Sequence, residues 1–232
     1  MPNWVFNGLT VEGNPEQVKK MMEQLNKPFK KKHDSWNMET HQMEIKETLY
    51  PNPIFAFHNI YNHLDHGITD EDYLAQPPRD MPIAEQMKFQ TNDWYSFNTR
   101  EWGTKWDVAV HADEKYPDTN MEDTVNGENH VVHYNFNTAW SPPFPAISKL
   151  SAQYPNLLFT HSYEEETGWG GECEFLRGEK ISESEYGWMC RNCEHTEDET
   201  PYCEGCDYDT CPKCGYGEAD EKCQTHDVQS EA

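Results

Sequence analysis

Eight residues near the C-terminus are spaced for metal chemistry. Cys190-x2-Cys193, Cys203-x2-Cys206, Cys211-x2-Cys214 and Cys223-x2-His226 form four pairs, each with two intervening residues. That spacing lets both donors of a pair reach one Zn²⁺, with thiolate distances of about 2.3 Å, and leaves backbone N–H groups to bond the sulfurs. Eight donors fill two tetrahedral ions with no position left for water, so the expected role is structural rather than catalytic. One arrangement is a cross-brace, with Cys190, Cys193, Cys211 and Cys214 on one ion and Cys203, Cys206, Cys223 and His226 on the other. The rival is a single zinc ribbon built from Cys190, Cys193, Cys211 and Cys214. The expectation is therefore two zinc ions, with one as the alternative, and iron as a minor variant because the Cys211–Gly215 knuckle also suits it.

The other chemistry-bearing groups are weaker. His58, His63 and His66 flank Asp65 but match no common histidine-ligand spacing, and they read as polar loop residues. His130 and His133 fall on opposite faces of an extended run, which argues against shared ligation. Trp102, Lys105, Trp106, Asp107 and Trp140 are candidate partner or pocket contacts, set against the plainer expectation that the tryptophans pack a core. Glu164, Glu165 and Glu166 read as a solvated turn, and Cys173 as a buried strand residue with no nucleophilic role. No Gly-rich phosphate loop, nucleophile elbow or Ser/His/Asp ordering is present, so no catalytic residue is assigned and the chain is expected not to be an enzyme.

Composition narrows the class further. The chain has 232 residues, 35% of them hydrophobic, with a formal net charge of −24. The charge is graded, balanced over residues 1–50 and falling to −11 over residues 181–232. Such a field repels nucleic acid and anionic membranes and attracts basic protein surfaces. No apolar run approaches the ~20 residues of a membrane span, and the start lacks a basic segment followed by an apolar one. A soluble, cytoplasmic protein is expected, a compartment that disfavours disulfides between the paired cysteines.

The elements that must position these residues are partly visible. Val5, Leu9 and Val11 lie in an extended run ending at Gly13. Asn14-Pro15-Glu16-Gln17 then opens a helix with Val18, Met21, Met22 and Leu25 on one face. Lys27–Lys32 reads as a solvated helix exit, and residues 33–92 as a polar insertion with little core, interrupted by a strand-like alternation at Ile54–Ile60. Asp93 is placed to cap a short helix, Val108–Val110 is expected to be extended, and residues 112–129 form an acidic loop. His130–Phe136 alternates as a strand, Ser141-Pro142-Pro143 opens a helix carrying Ile147, Leu150 and Tyr154, and Leu157–His161 with Gly171–Leu176 closes as a hairpin. The order strand, helix, strand, twice over, predicts an α+β protein: a ferredoxin-like split βαβ sandwich over residues 1–180. Residues 181–189 would be a linker, residues 190–228 the zinc-binding module and residues 229–232 a tail.

Met1-Pro2-Asn3-Trp4, the Trp102–Asp107 block, Phe136–Pro143, Tyr154-Pro155 and Tyr163-Glu164-Glu165 resemble the YubB-like ferredoxin-like proteins of phages and plasmids. The resemblance implies a ferredoxin-like fold and a mobile-element origin, with no activity attached. The cysteine spacing of the C-terminal segment resembles ZZ-type and RING-type fingers, especially around Tyr202–Cys211. That likeness implies a module that binds protein tails.

Together these readings lead to a non-enzymatic phage or plasmid accessory protein that binds a host or phage protein with a basic surface. Direct nucleic-acid binding and membrane association are not expected, and the sequence sets no oligomeric state. A DNA mimic that blocks a nucleic-acid-binding protein is one alternative. A zinc-supported enzyme or a nucleic-acid-binding zinc-ribbon protein is the other.

Overall fold

The computed structural model describes residues 3–75, 81–83, 85, 92–110, 118–126, 129–166, 168–186, 188–189 and 196–197. All eight expected zinc ligands, from Cys190 to His226, and His195 beside the second of them lie outside the described residues.

Strand β1 (Trp4–Gly13) leads directly into helix α1 (Pro15–Leu25). The Asn14 side chain accepts from the N–H groups of Glu16 and Gln17, at 3.0 and 3.4 Å, and Pro15 occupies the first helical position, where its missing N–H costs nothing. Val18, Met21 and Leu25 are buried on one face, as their spacing requires. Strand β2 (Phe29–Asn37) and strand β3 (Gln42–Tyr50) form a separate antiparallel hairpin. Helices α2 (Asp70–Leu74) and α3 (Trp94–Glu101) follow, the latter capped by Asp93 as expected.

Strand β4 (Asn120–Asn126), strand β5 (Asn129–Ala139), helix α4 (Phe144–Gln153), strand β6 (Leu158–Glu165), strand β7 (Gly170–Leu176) and strand β8 (Glu179–Tyr186) complete the main unit. The six-stranded sheet has the order β4-β5-β1-β6-β7-β8, and each neighbouring pair is antiparallel. Strand β5 lies between β1 and β4, and β1 lies between β5 and β6. Two split βαβ units therefore interlock, with β7 and β8 continuing the sheet beyond them. Val5, Leu9, Val11, Tyr134, Phe136 and Phe159 project from one sheet face into a core shared with Ile147 and Leu150 of α4.

Four expectations are corrected. Residues 33–92, expected to be a polar insertion with little core of their own, do contribute to the main core: Phe55, Phe57, Ile60 and Tyr73 join it, and the Phe55 ring stacks on Phe136 at 5.1 Å. Ile54–Ile60 is not a strand, because Phe55, Ala56 and Phe57 are buried consecutively and Phe57–Asn59 is a single 3₁₀ turn. Lys30, Lys31 and Lys32 belong to β2 rather than to a helix exit. Lys30 meets Glu47 of the partner strand at 2.6 Å, and Lys32 meets Asp70 at 2.7 Å. Within the acidic segment, residues 120–126 are the edge strand β4. Charged side chains are tolerated there because an edge strand has one protected side and its charges discourage further pairing.

Candidate functional site

The two tryptophan-rich blocks fold against each other. Trp102 ends α3, with its backbone N–H donating to the Asn98 carbonyl at 2.8 Å. Gly103 follows at φ +83°, where an added Cβ would lie 2.4 Å from Pro145 Cδ, so the turn needs glycine. The Thr104 hydroxyl donates to the Ala139 carbonyl at 2.9 Å, the Ser141 hydroxyl to the Gly103 carbonyl at 2.5 Å, and the Thr138 hydroxyl to the Ser141 carbonyl at 2.8 Å. These bonds hold the Trp102–Asp107 block against Thr138–Ser141 and fix where Trp106 and Trp140 project.

The five candidate contacts then separate into two groups. Trp102 is core: it is 1% exposed, and its indole N–H donates to the Tyr61 carbonyl at 2.8 Å. Asp107 is also architectural. Its carboxylate accepts backbone N–H groups of Phe57 at 2.8 Å, His58 at 3.0 Å, Val108 at 2.7 Å and Ala109 at 3.3 Å, tying the Phe55–Ile60 turn to its own loop. Asp107→Ala should therefore lower stability by about 2–3 kcal/mol, since charge-assisted bonds are lost and buried donors are left unpaired. Urea titration would read this as a lower midpoint, and an unchanged midpoint would remove Asp107 from this role.

Half-buried Lys105 and exposed Trp106 and Trp140 form the second group. The Lys105 ammonium lies 4.7 Å from the Trp106 ring centroid and 4.4 Å from that of Trp140, with Trp94 at 5.9 Å. Trp140 has φ +76°, a conformation that costs a bulky residue energy and persists only where neighbours enforce it. The arrangement is a cation set among indole faces at the surface, able to hold charged or planar groups.

The histidines do not converge. His58 stacks on Phe29 at 4.2 Å, His63 on Tyr73 at 4.0 Å and His66 on Tyr61 at 3.6 Å. Burial holds His58 and His63 below the usual imidazole range, and His63 bonds Asp70 at 3.1 Å. His130 and His133 occupy opposite faces of β5, as expected: His130 is buried beside Asp123, and His133 bonds Thr10 at 2.8 Å. Glu164–Glu166 is not a free turn, because Glu164 and Glu165 end β6 and Glu165 is 3% exposed. Among the described residues, no three His, Cys, Asp or Glu side chains gather as a metal site.

One alignment has no counterpart in the sequence reading. Cys173 Sγ lies 3.8 Å from His161 Nδ1, and His161 Nε2 lies 3.0 Å from Asn7 Oδ1. This is the order of a thiol nucleophile, its base and an orienting amide. The chemistry is wrong for that use. Burial pushes His161 down to about 3 and Cys173 up to about 11, so both are neutral, and all three residues are at most 4% exposed. An attacking thiolate needs the opposite shifts and access to substrate. Cys173 is the buried strand residue expected of it.

On the far side of the sheet the strands present a different surface. Alternation and register place Glu12, Glu122, Glu164, Glu172 and Glu174 there, with Phe6, Thr10, His133, Asn135, Ser162, Ser182 and Ser184. Among the described residues, these strands place no Lys or Arg on that face; Lys180 of β8 pairs with Phe175 and lies over the Phe144 ring on the helix side.

The strand order, the paired βαβ units and the two helices packed on one face define an α+β protein of the ferredoxin-like class. Residues 106–204 match the family model described as "Ferredoxin-like domain in Api92-like protein". The match begins after β1, the strand at the centre of the sheet, so the folded unit needs residues 4–13 as well. The match supports the ferredoxin-like fold expected from the motifs, and the likeness it shows is to the Api92-like description rather than to YubB-like proteins. Among solved structures, the crystal structure of protein api92 from Yersinia pseudotuberculosis is similar at 11% identity, covering 81% of this chain and 99% of that one, with a TM-score of 0.42. The comparison with curated proteins finds no match. Among the described residues, no helix is long and apolar enough to cross a membrane.

Proposed function

We propose that this chain is a non-enzymatic accessory protein that docks a basic protein on the open face of its sheet. The observation that carries the reading is the set of glutamates spread over that face, with no lysine or arginine among the described strand residues there. A surface of one sign speeds encounter with the opposite sign and suppresses wrong partners. Among the described residues the strands place no Lys or Arg on that face to neutralise phosphates, which disfavours direct nucleic-acid binding. The motif resemblance favours a phage or plasmid origin and a cytoplasmic workplace.

In this reading the cysteine-rich segment folds around zinc and adds a second acidic contact. Its donor set fits the metal, since four pairs of soft ligands at two-residue spacing suit Zn²⁺. Trp188–Met189 pairs antiparallel with Thr196–Glu197, so a short ladder brackets Cys190 and Cys193 in the chain.

The test neutralises the face without altering its shape. Glu12, Glu122, Glu164, Glu172 and Glu174 are changed together to Gln, and both forms are used as bait in host lysate at moderate salt. The wild type should retain a basic protein stoichiometrically, with affinity falling as salt rises, and the variant should lose it at least about tenfold. Equal retention by the variant would overturn the proposed face. Displacement of the partner by duplex DNA would instead identify a DNA mimic.

A further inference from the structure

A cavity of about 280 Å³ opens between β2 and the α2–α3 region, lined by Lys31, Tyr73, Leu74, Trp94, Asn98 and Trp106 among others. It uses residues distinct from the glutamates of the open face. We propose that it binds a small planar anion, an aromatic ring carrying a carboxylate or phosphate, with Lys31 receiving the acid and Trp94 and Trp106 the ring.

Charge supports the acid end. In a chain of net charge −24, a fixed and uncompensated cation is uncommon. Lys31 has no carboxylate at ion-pair distance among the described residues, and its ammonium rests 5.5 Å from the Trp102 ring centroid. Tyr73, which lines the cavity with it, donates its phenol O–H to Asn98 Oδ1 at 2.8 Å. Asn98 Nδ2 donates to the Lys105 carbonyl at 2.9 Å, so its amide is committed at both ends. The half-buried cation thus lies against the Trp102 ring, beside a wall of buried groups, Tyr73 and Asn98, whose own hydrogen bonds are made. Two carboxylates lie nearby and must be counted. Asp70 is taken by Lys32 at 2.7 Å and by His63 at 3.1 Å, and Asp34 lines the wall.

Shape supports the ring end. Trp94 and Trp106 line the cavity, and Lys105 lies over both of them, holding the indoles as a wall. Small-molecule sites typically hold about 300–1,000 Å³, so this cavity falls at the lower limit. A dinucleotide or long peptide is too large, whereas a single ring bearing an acid has the right size.

The experiment uses the full chain and four probes followed by tryptophan fluorescence and calorimetry: 4-hydroxybenzoate, phenyl phosphate, neutral 4-hydroxybenzyl alcohol and inorganic phosphate. One or both aromatic acids should bind one per chain, with Kd below about 1 mM, and the tighter acid names the anion. The alcohol and inorganic phosphate should each bind at least about tenfold more weakly, because each lacks one half of the recognised group. Lys31→Gln should weaken the acid about tenfold or more and leave the alcohol unchanged. Trp106→Ala, at a 39% exposed residue, should weaken the acid without shifting the thermal midpoint, so the proposal stays testable if Lys31→Gln folds poorly. Lys30→Gln, on the exposed pair with Glu47, should change nothing. Failure of both acids to bind, equal binding by the alcohol, or wild-type affinity in both site variants would overturn the proposal. The glutamate-face variant should bind the acids normally, which separates this site from the docking surface.

Discussion

Trp102→Ala is expected to destabilise the protein by about 3–5 kcal/mol, the range for removing a large buried ring. For a domain of this size the thermal midpoint should fall by roughly 10 °C or more. Three regions meet on this side chain: Phe97 of α3 at 6.1 Å, Phe57 of the 3₁₀ turn at 5.9 Å and the ammonium of Lys31 from β2 at 5.5 Å. The indole N–H also satisfies the Tyr61 carbonyl, so truncation leaves both a cavity and a buried acceptor without its donor. Trp102→Phe keeps much of the volume and should cost less; its remaining cost reports chiefly the lost hydrogen bond, and its difference from Trp102→Ala reports the packing of the ring. Trp140→Ala, at a residue 45% exposed and at positive φ, should cost under about 1 kcal/mol. Thermal and urea denaturation of the three variants gives the ranking. If Trp102→Ala and Trp140→Ala melt together, the division between core and surface tryptophans is wrong.

That division marks the limit of what the sequence could show. The first strand and helix were legible because every signal was local: Asn14 caps, Pro15 starts, and Val18, Met21 and Leu25 repeat at helical spacing. The segments Asn129–Ala139, Phe144–Gln153 and Leu158–Glu165 were legible for the same reason, and with them the ferredoxin-like order. Phe55–Ile60 was not. Its conformation is set by the carboxylate of Asp107, fifty residues away from Phe57, which captures two consecutive backbone N–H groups and turns the chain so that neighbouring residues point inward together. The edge strand Asn120–Asn126 was hidden by its acids, because only Met121 among its described side chains is drawn toward the core. In the tryptophan blocks the residue types were visible, but Trp102, Trp106 and Trp140 are chemically identical and only their contacts sort them. The Cys173–His161–Asn7 alignment depends on three adjacent strands in phase, with Asn7 and His161 separated by 154 positions. No local pattern carries such a relation.

Chelation should have the largest effect of all on the segment beyond Tyr186. Structural zinc sites contribute about 10–16 kcal/mol of apparent binding energy at neutral pH, and that energy is the folding energy of the module. Residues 181–232 carry a net charge of −11 before any thiol ionises; seven thiolates would add to it, and two zinc ions would offset only part. Without metal such a composition has too little apolar surface to order itself. We therefore expect purified protein to contain two zinc ions per chain, and a strong chelator to open the segment to proteases. The ferredoxin-like unit should keep its thermal transition, because its described core, which runs from Val5 to Phe175 and includes Cys173, is already well packed. Substitutions then separate the pairings. Cys190→Ser and Cys211→Ser should each lose one ion in either arrangement. Cys203→Ser should lose an ion in the cross-brace and none in the single ribbon, where the starting content is one. Protein that carries no zinc, whose tail resists proteolysis equally with and without chelator, would remove the metal from this account and leave the open sheet face as its acidic surface.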